Sequence, residues 1–185
     1  CFEKAKPDGY ELECGFGEDN EWLSDRYTNP DQVVAGIFLY KLHGSIDWVR
    51  DSETGILKRF DSPQKNAELI FGTEAKLQSV DPFLFNVYEL RNYSLQCKMI
   101  VVIGYSFNDA HINGLLGQAL MAAERKLIVV DTRDIVAEDI IKKLSLDAKF
   151  EAKIVYEKTT ASDFLNNKLT KEEMEKLIPE EDQVF

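Results

Sequence analysis

Apolar positions are grouped most tightly between Lys98 and Arg133. Met99 to Ile103 is a continuous apolar run, the pattern of a strand buried on both faces. Gly104 interrupts it, and Ser106, Asn108 and Asp109 follow as candidate caps of a helix. In that helix Ile112, Leu115, Leu116, Ala119, Leu120 and Ala123 recur at helical spacing and form one apolar stripe. Leu127 to Val130 is a second buried strand, ending at Asp131. Strand, helix, strand in this order predicts a βαβ unit with a right-handed crossover. Sheets of this kind bind ligands beyond the C-terminal ends of their strands. The turn 104–108 and Asp131 are therefore the first places to look for a site.

The same alternation continues. Ile135 to Leu144 predicts a helix with Ile135, Ala137, Ile140, Ile141 and Leu144 inward. Lys153 to Tyr156 predicts a short strand, Ser162 to Leu165 opens a helix, and Thr170 with Glu173 makes a capping-box pattern for the last helix. β, α, β, α, β, α over residues 98–169 predicts an α/β fold, a mainly parallel sheet with helices on both faces. Upstream, Val33 to Leu42 reads as a strand running into His43-Gly44-Ser45. Ile46 to Val49 and Ile56 to Phe60 flank Asp51 to Gly55 and predict a small β-hairpin insertion. Leu69 to Phe71 predicts a short strand. Asp81-Pro82 predicts a helix start, with Phe83, Leu84, Val87, Leu90, Tyr93 and Ser94 on its inner face. Residues 1–32 are acidic and rich in turn formers, and predict an irregular segment or insertion pinned by Phe2, Tyr10, Trp22 and Tyr27. The expected organisation is thus an irregular segment over 1–32, the α/β domain over 33–170, and a helix with a polar tail over 171–185.

Composition narrows the partners. The 185 residues carry a net charge of −11 and no run of lysine and arginine, which argues against a nucleic-acid partner. No apolar run approaches the roughly 20 residues of a membrane helix, so no membrane partner is expected. Three cysteines at unrelated spacings and two histidines do not make a zinc site of the usual kind, and they predict reduced thiols in a cytoplasmic protein. The chain opens on Cys1 rather than methionine, and is expected to be part of a longer protein.

Candidate chemistry lies at the predicted strand ends. His43 precedes a glycine at a turn, where an imidazole could act as general base, or could simply hydrogen-bond the loop. Gly104, Ser106 and Asn108 could let a phosphate approach the backbone, or could form an ordinary turn with Ser or Asn as helix cap. The stretch is neither GxGxxG nor a P-loop. Asp131 could accept hydrogen bonds from a ribose, or cap the next helix, or do both. His111 reads as structural.

Two motifs converge on one resemblance. Lys41-Leu42-His43-Gly44-Ser45 resembles the histidine-glycine motif of sirtuins. Val101 to Asn113, VVIGYSFNDAHIN, resembles a later sirtuin motif in its bacterial form. That form is similar to the sirtuin-like domains of bacterial antiphage defence proteins rather than to protein deacetylases. The resemblance covers residues 33 to about 156. It implies a Rossmann-like, NAD-binding domain that cleaves the bond between nicotinamide and ribose. It implies that His43 is the general base on the nicotinamide ribose. Gly44, Gly104, Ser106 and Asn108 would contact the NAD phosphates or ribose, and Asp131 would hold the adenosine ribose.

Two departures qualify it. Residues 46–96 contain no cysteine, so the four-cysteine zinc module of deacetylases is missing, and a zinc-free NAD hydrolase is the closer match. The GAG-type phosphate loop is absent from residues 1–32. The chain is therefore expected to hold the C-terminal part of the domain. It would need the remainder of its parent protein, and is not expected to turn over NAD by itself. A homo-oligomer is expected. The alternative is a module that binds NAD or ADP-ribose as a sensor or scaffold without catalysis.

Overall fold

The computed structural model describes residues 11–28, 36–70, 80–122 and 125–178. Expectations about Phe2, Tyr10, Val33 to Ala35, Phe71, Ala123 and the tail lie outside these residues. The chain divides into two compact units, Cys1–Leu90 and Arg91–Phe185. Among the described residues no helix is long and apolar enough to cross a membrane.

In the second unit, β5 (Met99–Ile103), β6 (Lys126–Asp131) and β7 (Ile154–Lys158) form a parallel sheet in the order β5-β6-β7. The register pairs Ile103 with Val130 and Asp131 with Lys158. The apolar run of β6 is explained by burial on both faces: Leu127, Ile128, Val129 and Val130 are each at most 1% exposed. Burying such a side chain contributes about 1.5–3 kcal/mol, so β6 is the centre of this unit. Its side chains alternate between two cores. Leu127 and Val129 pack with Leu116 and Leu120 of α3 (Ala110–Leu120) and with Ile140 of α4 (Ala137–Lys143) and Leu144. Ile128 and Val130 pack on the other side with Phe164, Met174 and Leu177. Phe164 lies in the π-helical continuation, Phe164–Lys168, of α5 (Ala161–Asp163), and Met174 and Leu177 belong to α6 (Lys171–Leu177).

This is the α/β fold expected, with a parallel sheet covered on both faces. Gly117 shows why α3 fits where it does. A Cβ there would lie 2.6 Å from the Leu144 carbonyl oxygen, so glycine lets the helix approach the end of α4. Thr170 caps α6 by accepting from the Glu173 amide, as the capping-box pattern predicted.

The first unit is built from short pieces. β1 (Leu12–Glu13) pairs in parallel with β2 (Ile37–Phe38), so the expected strand over 33–42 is two residues long where described. Residues 11–28 are more ordered in structure than their lack of periodicity suggested. Buried Glu13 accepts from Arg26 and from the Gly15 amide, and α1 (Asp25–Thr28) carries buried Tyr27, whose hydroxyl donates to the Leu39 carbonyl at 3.0 Å. The predicted hairpin is present as β3 (Trp48–Arg50) and β4 (Leu57–Arg59), antiparallel with Trp48 opposite Arg59. Trp48 and Leu57 form a small core with Phe16.

The division between units falls within α2 (Phe83–Gln96). The helix buries Phe83, Asn86, Glu89 and Ser94, whereas Leu84 and Tyr93 are each 47% exposed. Phe83 and Ser94 of the predicted inner face are buried and Val87 and Leu90 half-buried, whereas Leu84 and Tyr93 point outward, because the buried side also takes Asn86 and Glu89, polar residues that an apolar-stripe argument discards.

Candidate functional site

In the first unit His43 lies in a turn, five residues after β2 ends, not at a strand terminus. Its backbone is anchored. The His43 carbonyl accepts from the Ile70 amide at 3.0 Å, and the Lys41 carbonyl accepts from Asn86 Nδ2 at 3.1 Å. The residue itself is exposed. Gly44 has a φ of +79°, and a Cβ there would lie 2.1 Å from the Glu68 carbonyl oxygen. Chain packing thus supplies a reason for this glycine. Beside it Lys41 Nζ donates to Ser45 Oγ at 3.0 Å, and the Ser45 hydroxyl donates to Asp47.

In the second unit the turn after β5 has a definite shape. Gly104 has a φ of +64°, and no atom lies within 4 Å of an added Cβ, so the backbone is open on that side. Phe107 also has a positive φ, +55°, which costs an aromatic residue about 1–2 kcal/mol. Several contacts hold it there. The Phe107 ring is buried, its carbonyl accepts from Asn113 Nδ2 at 3.0 Å, and the Tyr105 ring packs against it at a tilt, 4.8 Å between centroids. The Tyr105 hydroxyl in turn bonds Asn113 Oδ1 at 2.9 Å and the Asp109 carbonyl at 3.1 Å. Burial pushes the Tyr105 hydroxyl pKa up. Much of the GYSFNDAHIN stretch is therefore a lock on the turn.

Asp109 is the cap of α3, chosen over Ser106 and Asn108. Its Oδ1 accepts from the His111 and Ile112 amides at 2.9 and 3.1 Å. These two amides at the helix start are therefore already bonded to a carboxylate. The positive group at the turn is instead Lys143 of α4, whose Nζ donates to the Ser106 carbonyl at 2.8 Å and sits 3.4 Å from Asn108 Oδ1. Sequence reasoning missed Lys143, because nothing in its neighbourhood in sequence links it to residue 106.

Asp131 ends β6 and is 7% exposed. It does not cap α4, whose N-cap is Val136 with no side-chain bond. Instead Oδ1 accepts from the Arg133 amide and Nε, both at 2.9 Å, and Oδ2 accepts from Arg133 Nη2 at 2.6 Å. The Arg133 guanidinium and amide hold the Asp131 carboxyl at about 2, below its ordinary 3.8. A depressed pKa gives stability that is present above the ordinary value and lost as pH falls through the folded one. We expect Asp131→Asn to melt lower than wild type at pH 7, with the gap closing between about pH 4 and pH 2. Melts by circular dichroism across that range check it.

Among the described residues no group of three or more His, Cys, Asp or Glu side chains is placed to hold a metal ion. Cys14 and Cys97 are not joined in a disulfide. No curated protein matches the chain. A family model described as a SIR2-like domain matches residues 17–153, about three quarters of the chain, and spans both His43 and Asp131. On that match the chain belongs to the SIR2-like domain family.

Proposed function

We propose that this chain is part of a sirtuin-like domain that binds NAD and hydrolyses its nicotinamide–ribose bond, serving bacterial antiphage defence. The observation that carries the reading is family membership over residues 17–153, which includes both motifs. In this reading His43 is the general base on the nicotinamide ribose. As the glycosidic bond breaks, positive charge develops at the anomeric carbon. A base that draws a proton from a ribose hydroxyl or the attacking water stabilises that charge. NAD and water give nicotinamide, ADP-ribose and a proton.

The dinucleotide's phosphates are assigned to the turn 104–108. The open side of Gly104 allows close approach, and Ser106, Asn108 and the Lys143 ammonium supply polar groups. Gly44 shapes the turn beside His43, and Asp131 is assigned to the adenosine ribose. Lys143→Ala is expected to weaken NAD binding about three- to tenfold, with a larger effect at low salt. Calorimetric titrations at two ionic strengths check it.

The reading is tested by incubating the full-length protein with NAD and measuring free nicotinamide. Equal release of nicotinamide and ADP-ribose is expected. Tight NAD binding without release would replace hydrolysis by the sensor function.

A further inference from the structure

A bare carboxylate at a strand end accepts hydrogen bonds from a ribose diol and repels a phosphate carried on that ribose. Asp131 is not bare. The two bonds from the Arg133 amide and Nε occupy both acceptor positions of Oδ1, and Nη2 occupies one on Oδ2. With the Thr132 amide also acting on this carboxylate, most of its acceptor capacity is taken up by its own turn. The guanidinium charge offsets that of the carboxylate, and the Arg133 side chain is still 57% exposed. Its Nη1 takes no part in the contact with Asp131.

The turn that presents this pair is tied to β7. The Tyr156 hydroxyl bonds the Asp131 carbonyl at 3.1 Å and also the Arg133 carbonyl, and the Thr159 amide donates to the Asp131 carbonyl at 3.2 Å. Lys158, the register partner of Asp131, brings a second cation to the same edge, where it pairs with Asp134. Two cations and two carboxylates therefore meet at the end of β6, and the arginine is pre-oriented by its own carboxylate. With Nε and Nη2 turned onto Asp131, the Nη1 side of the guanidinium is the edge that can donate to a phosphate, a charge-assisted contact that a ribose hydroxyl does not require.

We propose that Arg133, oriented by Asp131, is a specificity-determining residue that admits a phosphorylated adenosine ribose, so that the site takes a 2′-phosphorylated dinucleotide of the NADP type at least as well as NAD. This rests on the reading of the β5–β6 strand ends as a dinucleotide site. Asp131 orients the guanidinium, while Arg133 and Lys158 meet the extra phosphate.

The test is calorimetric titration of the full-length protein with NAD and with NADP, for wild type, Arg133→Ala and Arg133→Lys. Wild type is expected to bind NADP within about threefold of NAD or more tightly. Arg133→Ala is expected to weaken NADP by about tenfold or more and NAD by less than threefold, the loss of one charge-assisted contact. Arg133→Lys should recover part of the NADP affinity, because the charge returns without the fork. Retained NAD binding by Arg133→Ala reports that the variant is folded. If wild type binds NAD but NADP a hundredfold more weakly, or if Arg133→Ala weakens both ligands equally, the specificity role falls and the dinucleotide reading stands. If the folded wild type binds neither ligand, the dinucleotide reading falls and takes this inference with it.

Discussion

Replacing His43 by alanine is expected to lower nicotinamide release by the full-length protein by about 10²- to 10⁴-fold, the usual contribution of a positioned general base. NAD affinity should change only a few-fold, because the substitution removes a proton acceptor and no phosphate contact. The backbone around His43 is held by groups the variant retains. The His43 carbonyl still accepts from the Ile70 amide, and Asn86 still holds the Lys41 carbonyl. The residue is exposed, so truncation opens no cavity in a core. A large fall in rate with an unchanged melting temperature therefore isolates chemistry from folding. Equal rates in variant and wild type would remove His43 from the mechanism and leave the rest of the NAD reading to be judged on binding.

Gly44→Ala should act next door by a different route and cost stability. Two penalties combine. A φ of +79° costs an L-residue about 1–2 kcal/mol. The new Cβ would lie 2.1 Å from the Glu68 carbonyl oxygen, which belongs to the backbone and cannot rotate away. Forcing such a contact apart costs about 1–3 kcal/mol more. A combined loss of about 2–5 kcal/mol corresponds to a fall in melting temperature on the order of 10 °C. Differential scanning calorimetry measures it. An unchanged melting temperature would mean that Gly44 is free to move, and would return the position to a ligand-contacting role alone.

Some of this was readable from residue order, and the reasons are physical. The runs Met99 to Ile103 and Leu127 to Val130 give β5 and β6 directly, because an unbroken apolar run has no polar positions to obscure a strand; β6 is buried on both faces as expected, whereas β5 is only partly buried and Ile103 is 36% exposed. The hairpin is legible from the two short segments Ile46 to Val49 and Ile56 to Phe60 that flank Asp51 to Gly55. In the finished turn Asp51 Oδ1 accepts from the Glu53 and Thr54 amides, and those local bonds hold its carboxyl below the usual range. The inner face of α2 was legible only in part, since Asn86 is buried there to bond a carbonyl 45 residues earlier in the chain. Lys143 was not legible, since its partners Ser106 and Asn108 lie 37 and 35 residues away. Asp131 was placed at the end of its strand, where it lies, but its partner was not foreseen. An arginine two residues on looks like a surface charge until the backbone turns and brings its fork onto the carboxylate.

The lock formed by Tyr105, Phe107 and Asn113 has a consequence for how relatives are recognised. These side chains bond one another and the backbone of their own turn. They specify a shape whether or not any substrate is cleaved there. A protein that carries the same tyrosine and asparagine eight residues apart has inherited a piece of architecture, and its chemistry must be established separately from the groups set upon it. Shared wording in this stretch is a statement of kinship, and activity is a second question.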